Sequence, residues 1–236
     1  MHVPIHVGKS PEEIIGVQYF DSAGYLFKGM AWLDYFARVR NFSPLLYACA
    51  DSRHGIEYLL FEELVVSTGA NLSGEEYRRC VNERNRFAKT IARLTPDYDR
   101  LKLFTKVVAR LEPSVPNLID WDHKALMKAW GVLSHYLHWF GARVLTAENS
   151  DWLDTAYLEI KETIEPLWIN ITSGQSGIMH PKDMHPTVKE IWGRFKIGEI
   201  DEEGAKFQLE FLEPIHNDTS QAKRTEADLR AVNHPQ

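Results

Sequence analysis

The stretch Ser43 to Ser67, SPLLYACADSRHGIEYLLFEELVVS, constrains the fold more than any other part of this chain. Its spacing predicts a helix with apolar residues on nearly every side, which is the pattern of a helix central to its domain. One polar island interrupts it: Asp51, Ser52, Arg53, His54 and Glu57. An island on such a helix is expected to be buried or to line a cleft, and its charges then need partners to offset the cost of leaving water.

The rest of the chain supplies helices to surround it. Ser10-Pro11-Glu12-Glu13 has the order of a helix start, and Ile15, Tyr19, Leu26, Met30, Leu33 and Phe36 follow at helical spacing. Gly16, Gly24 and Gly29 weaken that helix, and a hairpin around Asp21–Gly24 is the alternative. Ser73-Gly-Glu-Glu76 is a capping box for a helix to Leu94. Thr95-Pro96-Asp97 breaks the chain before a helix through Leu101, Phe104 and Val108, and residues 112–117 read as a linker. A long helix is expected from Asp122 to Leu145, and another from Ser150 that Pro166 kinks or restarts. Residues 172–186 have the composition of a loop, with short helices expected near 187–196 and 201–213. No alternation calls for a sheet. The expectation is an all-α, up-and-down bundle of five or six main helices, its core spanning 1–171, with a loop and short helices over 172–216 and a polar tail over 217–236.

Composition narrows the function classes. With 44% hydrophobic and 25% charged residues in 236, the chain reads as a globular protein with one sizeable core. A net charge of −6 removes the bulk electrostatic case for a nucleic-acid binder and leaves only a local basic face. Cys49 and Cys80 are expected to be reduced core residues, the start MHVPIHVGKS lacks the order of a signal peptide, and no apolar run is long enough to cross a bilayer. Those features predict a cytoplasmic protein away from membranes. No phosphate-binding glycine loop, nucleophile elbow or Cys-x-x-Cys pair occurs.

Four groups of residues have chemistry to offer. Arg53 and Glu57 share a helix face, and a bidentate pair there can lock helix register. His54 lies on the neighbouring stripe and, beside that pair, could serve acid–base chemistry, although a structural ion pair with a satisfied histidine is the preferred reading. On the later helix, Gly131, Ser134 and Gly141 form a row of small residues that would admit another helix, with His138 among them and aimed at the Arg53–Glu57 pair. His135 and His138 have a spacing that can supply two metal ligands, but no third ligand is specified and no metal is assigned. Arg78, Arg79, Arg84, Arg86 and Lys89 make a basic helix that could grip phosphates, or a solvated face balanced by Glu75, Glu76 and Glu83. His180, Asp183 and His185 in the late loop carry metal-ligand types on a segment that its prolines mark as a stiff connector.

The run Arg53, Gly55, Ile56, Glu57, Leu59, Leu60 resembles a helix of the HEPN superfamily (higher eukaryote and prokaryote nucleotide-binding domains). Leu133-Ser-His-Tyr-Leu-His138 is similar to a Leu-Ser-x-x-x-His segment of some helical members. The likeness spans residues 1–145. It implies a helical bundle that dimerises, and in active members an Arg-x4-6-His ribonuclease motif. This chain departs from that motif: Arg84-Asn85 leads to Lys89 where histidine is expected, and no arginine stands four to six residues before His138. The resemblance therefore implies a non-catalytic member acting through a homodimer, a protein partner, RNA or a nucleotide, with no cofactor. The alternatives are an RNA- or nucleotide-directed hydrolase with a rearranged Arg53, His54, Glu57 and His138 site, and a small metal-dependent enzyme using His54, His135 and His138.

Overall fold

Asp21 decides how the molecule begins. Its carboxylate accepts the backbone N–H of Gly24 at 2.6 Å and caps a new helix, so the expected continuous first helix is two. The first, α1, is Pro11–Ile15 and the second, α2, is Ser22–Val39. The break thus falls where the glycines weaken the helix, as a helix cap and not as a hairpin. The computed structural model describes residues 11–69, 72–82, 87–111, 118–138 and 150–212.

Arg40 ends α2 in the left-handed region (φ 53°), and Asn41 caps α3, Phe42–Ser67, by accepting the Ser43 N–H at 3.1 Å. That two-residue connection folds α3 back along α2. Arg40 is held in its uncommon conformation by two contacts: its guanidinium lies 5.0 Å from the Phe36 ring and pairs with Asp154. The contacts Ser22–Glu62, Tyr25–Tyr58 and Trp32–Asp51 run in opposite order along α2 and α3, so the two helices are antiparallel.

The Ser73–Glu76 capping box forms as expected. It opens α4, Gly74–Asn82, and α5, Phe87–Leu94, follows. Arg84 and Arg86 lie outside the described residues, as do 112–117, 139–149 and the tail. Next come α6, Tyr98–Leu111, and α7, His123–Leu137, capped by Asp122 through the Lys124 and Ala125 N–H groups. The predicted helix to Leu145 is cut short: His138 is already extended (φ −91°, ψ 153°). Helix α8, Ser150–Ser173, passes through Pro166 without restarting, and α9, Pro186–Lys196, and α10, Glu202–Glu210, complete the chain as described.

Four helices make the bundle. α2 meets α3, α3 meets α7, α7 meets α8, and α8 returns to α2. The pairs Phe36–Tyr157 and Phe27–Trp168 set α8 antiparallel to α2, and the contacts of Glu57 with Trp130 and Glu63 with His123 do the same for α3 and α7. The result is the all-α, up-and-down bundle that the helical spacing predicts. Its core is the buried set around Leu26, Phe36, Leu45, Ile56, Leu60, Leu133 and Ile160. A second apolar cluster joins Leu101, Phe104 and Val107 of α6 to Val188, Ile191, Trp192 and Phe195 of α9 and Ala205 and Leu209 of α10. One feature had no sequence signal: Leu118–Ile119 (β1) and Gln175–Ser176 (β2) form a two-residue parallel pair that ties the entry of α7 to the exit of α8.

Candidate functional site

The polar island on α3 divides between two faces. Facing α7, Arg53 and Glu57 form the expected pair, Nε to Oε1 at 3.2 Å, with both side chains mostly buried. Their partner is Trp130. Its indole N–H donates to the same Glu57 oxygen at 3.0 Å, and the Arg53 guanidinium lies 4.7 Å from the centre of its ring. His138 is therefore not the group that meets this pair. It is exposed, eight residues further along the chain, about 12 Å along a helix axis. Of the row of small residues, Gly131 is exposed and a Cβ there would touch nothing, and Gly141 lies outside the described residues. Ser134 is buried, and its hydroxyl makes no hydrogen bond among the described residues. The knot of Arg53, Glu57 and Trp130 is closed and fixes α3 against α7.

The other face of the island looks outward. His54 is exposed, the one member of the island that departs from the expected burial, and its ring meets the edge of Tyr25 at 5.7 Å. Around it runs a continuous stripe. Tyr25, Lys28, Trp32 and Tyr35 share one face of α2, and Tyr47, Asp51, His54 and Tyr58 share one face of α3. Tyr25 stacks on Tyr58 at 5.2 Å, and Trp32 packs on Tyr47 at 4.8 Å and on the edge of Tyr35 at 6.0 Å. Asp51 accepts the Trp32 indole N–H at 2.9 Å. Burial raises the Asp51 pKa, and Lys28 pulls it back down. Tyr47 is 51% exposed and Tyr58 37%, unusual for rings gathered into one patch. Sequence reasoning singled out only Asp51 and His54 of these eight residues and missed the other six, because it followed the polar island and not the aromatic residues. The signal was present, since 25, 28, 32, 35 and 47, 51, 54, 58 are both helical periods.

A third cluster had no signal in the sequence, because three elements contribute to it. The Tyr98 hydroxyl donates to the buried Glu63 carboxylate, and His123 Nε2 lies 3.7 Å from the same oxygen with its ring stacked on Tyr98. Burial, then the Glu63 charge, holds the Tyr98 phenol well above its usual range. Lys102 and Lys106 both bind Asp120 at the edge of this group, at 2.5 and 2.8 Å. Burial alone would raise Asp120, but the two lysines outweigh it and lower its pKa. The space beside Glu63 among the described residues is about 10 Å³, room for about one water.

Of the remaining sequence candidates, Arg84 and Arg86 lie outside the described residues and most of the others are ordinary in structure. In the basic helix Arg79 pairs with Glu75, Arg78 bonds the Gly74 carbonyl, and Lys89 is exposed. Arg93, on α5, reaches Glu76 at 3.5 Å. His135 is exposed as well. His185 sits at the cap of α9 and Asp183 in the exposed turn before it. Among the described residues no group of three His, Cys, Asp or Glu side chains is placed to hold a metal, and no helix is long and apolar enough to cross a membrane. Comparison with protein families, curated proteins and solved structures gave no match.

Proposed function

We propose that this protein is a non-catalytic helical binding module that works as a homodimer, two copies meeting through the aromatic stripe of α2 and α3. The observation that carries this reading is the stripe itself, the exposed Tyr47 and Tyr58 beside the half-buried Tyr25, Trp32 and Tyr35, whose polar tips and flat rings suit a protein interface. Its charges are self-complementary. With the two-fold axis running along the groove between α2 and α3, α2 of one copy lies over α3 of the other. Lys28 then faces the partner's Asp51, and the reverse holds across the axis. RNA suits the same surface poorly. Stacking bases need open ring faces in a positive groove. Here Tyr25 and Tyr58 cover one another, Lys28 is balanced by Asp51, and the chain carries −6 overall.

Kinship with HEPN domains belongs to the same proposal. What supports it is the packing role of the resembling residues: Ile56, Leu59 and Leu60 are core, Gly55 admits α2, and Arg53 with Glu57 binds α7. Sedimentation or light scattering across the micromolar range tests the dimer. Lys28→Glu and Asp51→Lys should each weaken association about tenfold or more, and the double variant should restore it. A wild-type protein that stays monomeric, or a double variant no better than either single one, would sink the reading.

A further inference from the structure

A cleft of about 300 Å³ opens where the end of α3, the turn before α6, the loop after β2 and the helix α9 come together. That volume is at the lower end for small-molecule sites, which are largely apolar with a few placed polar groups. The apolar wall combines Leu94, Pro96 and Pro181 with the small exposed part of Trp192, which is 6% exposed and packed on Phe104 at 5.4 Å. Asp97 and Lys196 also line the cleft and pair at 2.6 Å with their side chains still a third to a half exposed. Arg100 fixes the lysine's backbone by donating to the carbonyls of Phe195 and Lys196, both at 2.8 Å.

His180 forms another wall and is held in one orientation. Its ring lies against Gly69, whose φ of +60° suits glycine, and a Cβ at 69 would meet ring atoms at 2.8–3.0 Å. The Lys182 N–H donates to His180 Nδ1 at 3.3 Å, so the hydrogen of the neutral ring is on Nε2. Burial, then Lys182, favours that neutral form. The hydroxyls of Thr68 and Thr95 donate to backbone carbonyls of α3.

The cleft therefore offers an apolar wall, two opposite charges side by side, and the imidazole of His180. An anion entering it would be repelled by Asp97, and a cation by Lys196. A molecule carrying both charged groups on one carbon satisfies both, its carboxylate on Lys196 and its ammonium on Asp97, with an apolar group left to lie on the wall of Leu94, Pro96 and Pro181. We propose that this cleft binds a free zwitterionic amino acid with an apolar or aromatic side chain. The site is separate from the α2/α3 stripe and does not depend on dimerisation.

Calorimetry on the full chain tests it with L-phenylalanine and L-leucine against phenethylamine and 3-phenylpropionate, which each keep one charge. The amino acids should bind, and the one-charge analogues should bind at least about tenfold more weakly. Asp97→Asn and Lys196→Met, both at partly exposed positions and checked for an unchanged melting temperature, should each weaken binding by a similar factor. No heat from either amino acid, equal binding of the analogues, or wild-type affinity in both variants would overturn the proposal.

Discussion

Glu57 shows how one oxygen organises an interface. It accepts from Arg53 on its own helix and from Trp130 on α7, so the pair that the sequence places on one helix face becomes a link between two helices. Asp34 on α2 is the opposite case. One of its carboxylate oxygens is buried without a hydrogen bond among the described residues. Burial raises its pKa to about 6, with Arg38 and Lys161 opposing the rise. The sign of the consequence follows directly. Between its unfolded value of 3.8 and about 6, only the folded chain keeps the proton, so stability from this group is complete at lower pH and is lost as pH rises through about 6. In a dry site a shift of that size is worth about 3 kcal/mol. Asp34 is only half-buried, and solvent screening leaves about 1 kcal/mol. Asp34→Asn should therefore gain about 1 kcal/mol over the wild type at pH 8 and little at pH 4, read by urea denaturation at both pH values. An equal effect at both would show that Asp34 titrates normally.

Close approach between helices is set at glycines whose role the sequence hid. Gly29 and Gly55 look like defects when α2 and α3 are judged by helix propensity. In the structure they are where the two helices touch: a Cβ on Gly29 would collide with the Ser52 hydroxyl, and one on Gly55 would meet backbone N of Leu26 and backbone O of Ser22 at 3.2 Å. Gly131, which sequence spacing offers as a contact point, touches nothing. Gly131→Ala should therefore stabilise the protein by about 0.5–1 kcal/mol through propensity alone. Gly55→Ala should destabilise it by about 1–3 kcal/mol, because backbone cannot yield as a side chain can. Thermal melts of the two variants moving in the same direction would contradict this. The contrast also explains what could be read in advance. Helix identity, the Ser73–Glu76 capping box and the α3 core are local patterns of residue spacing, and they were legible. Which stripe of a helix meets which neighbour depends on rotation about its axis. So the Arg53–Glu57 pair could be read but its partner could not, and the Glu63, Tyr98 and His123 cluster could not be read at all.

At the scale of the molecule, α6 belongs to two structures at once. Tyr98 at its start is part of the bundle core, whereas Leu101, Phe104 and Val107 pack on α9 and α10 in the second cluster. The C-terminal helices therefore depend on α6 and on little of α2 or α3. Phe104 is fully buried at the centre of that contact, with Trp192 at 5.4 Å and Phe195 at 5.5 Å. Removing its ring leaves a cavity worth about 3–5 kcal/mol if the surroundings do not collapse. The loss falls on the second cluster, and a cluster with its own contacts can open on its own. In Phe104→Ala, hydrogen exchange should accelerate over α9 and α10 by about two to three orders of magnitude more than over the centres of α2 and α3, since each 1.4 kcal/mol is a factor of ten. The milder Phe104→Leu should give the same ordering with a smaller gap, which keeps the test informative if the alanine variant is hard to purify. Uniform acceleration across all helices in both variants would mean that the two clusters open as one unit. The Trp192 cleft, placed at the seam between them, would then be a fixed feature of a single body and not a site whose opening follows the C-terminal helices.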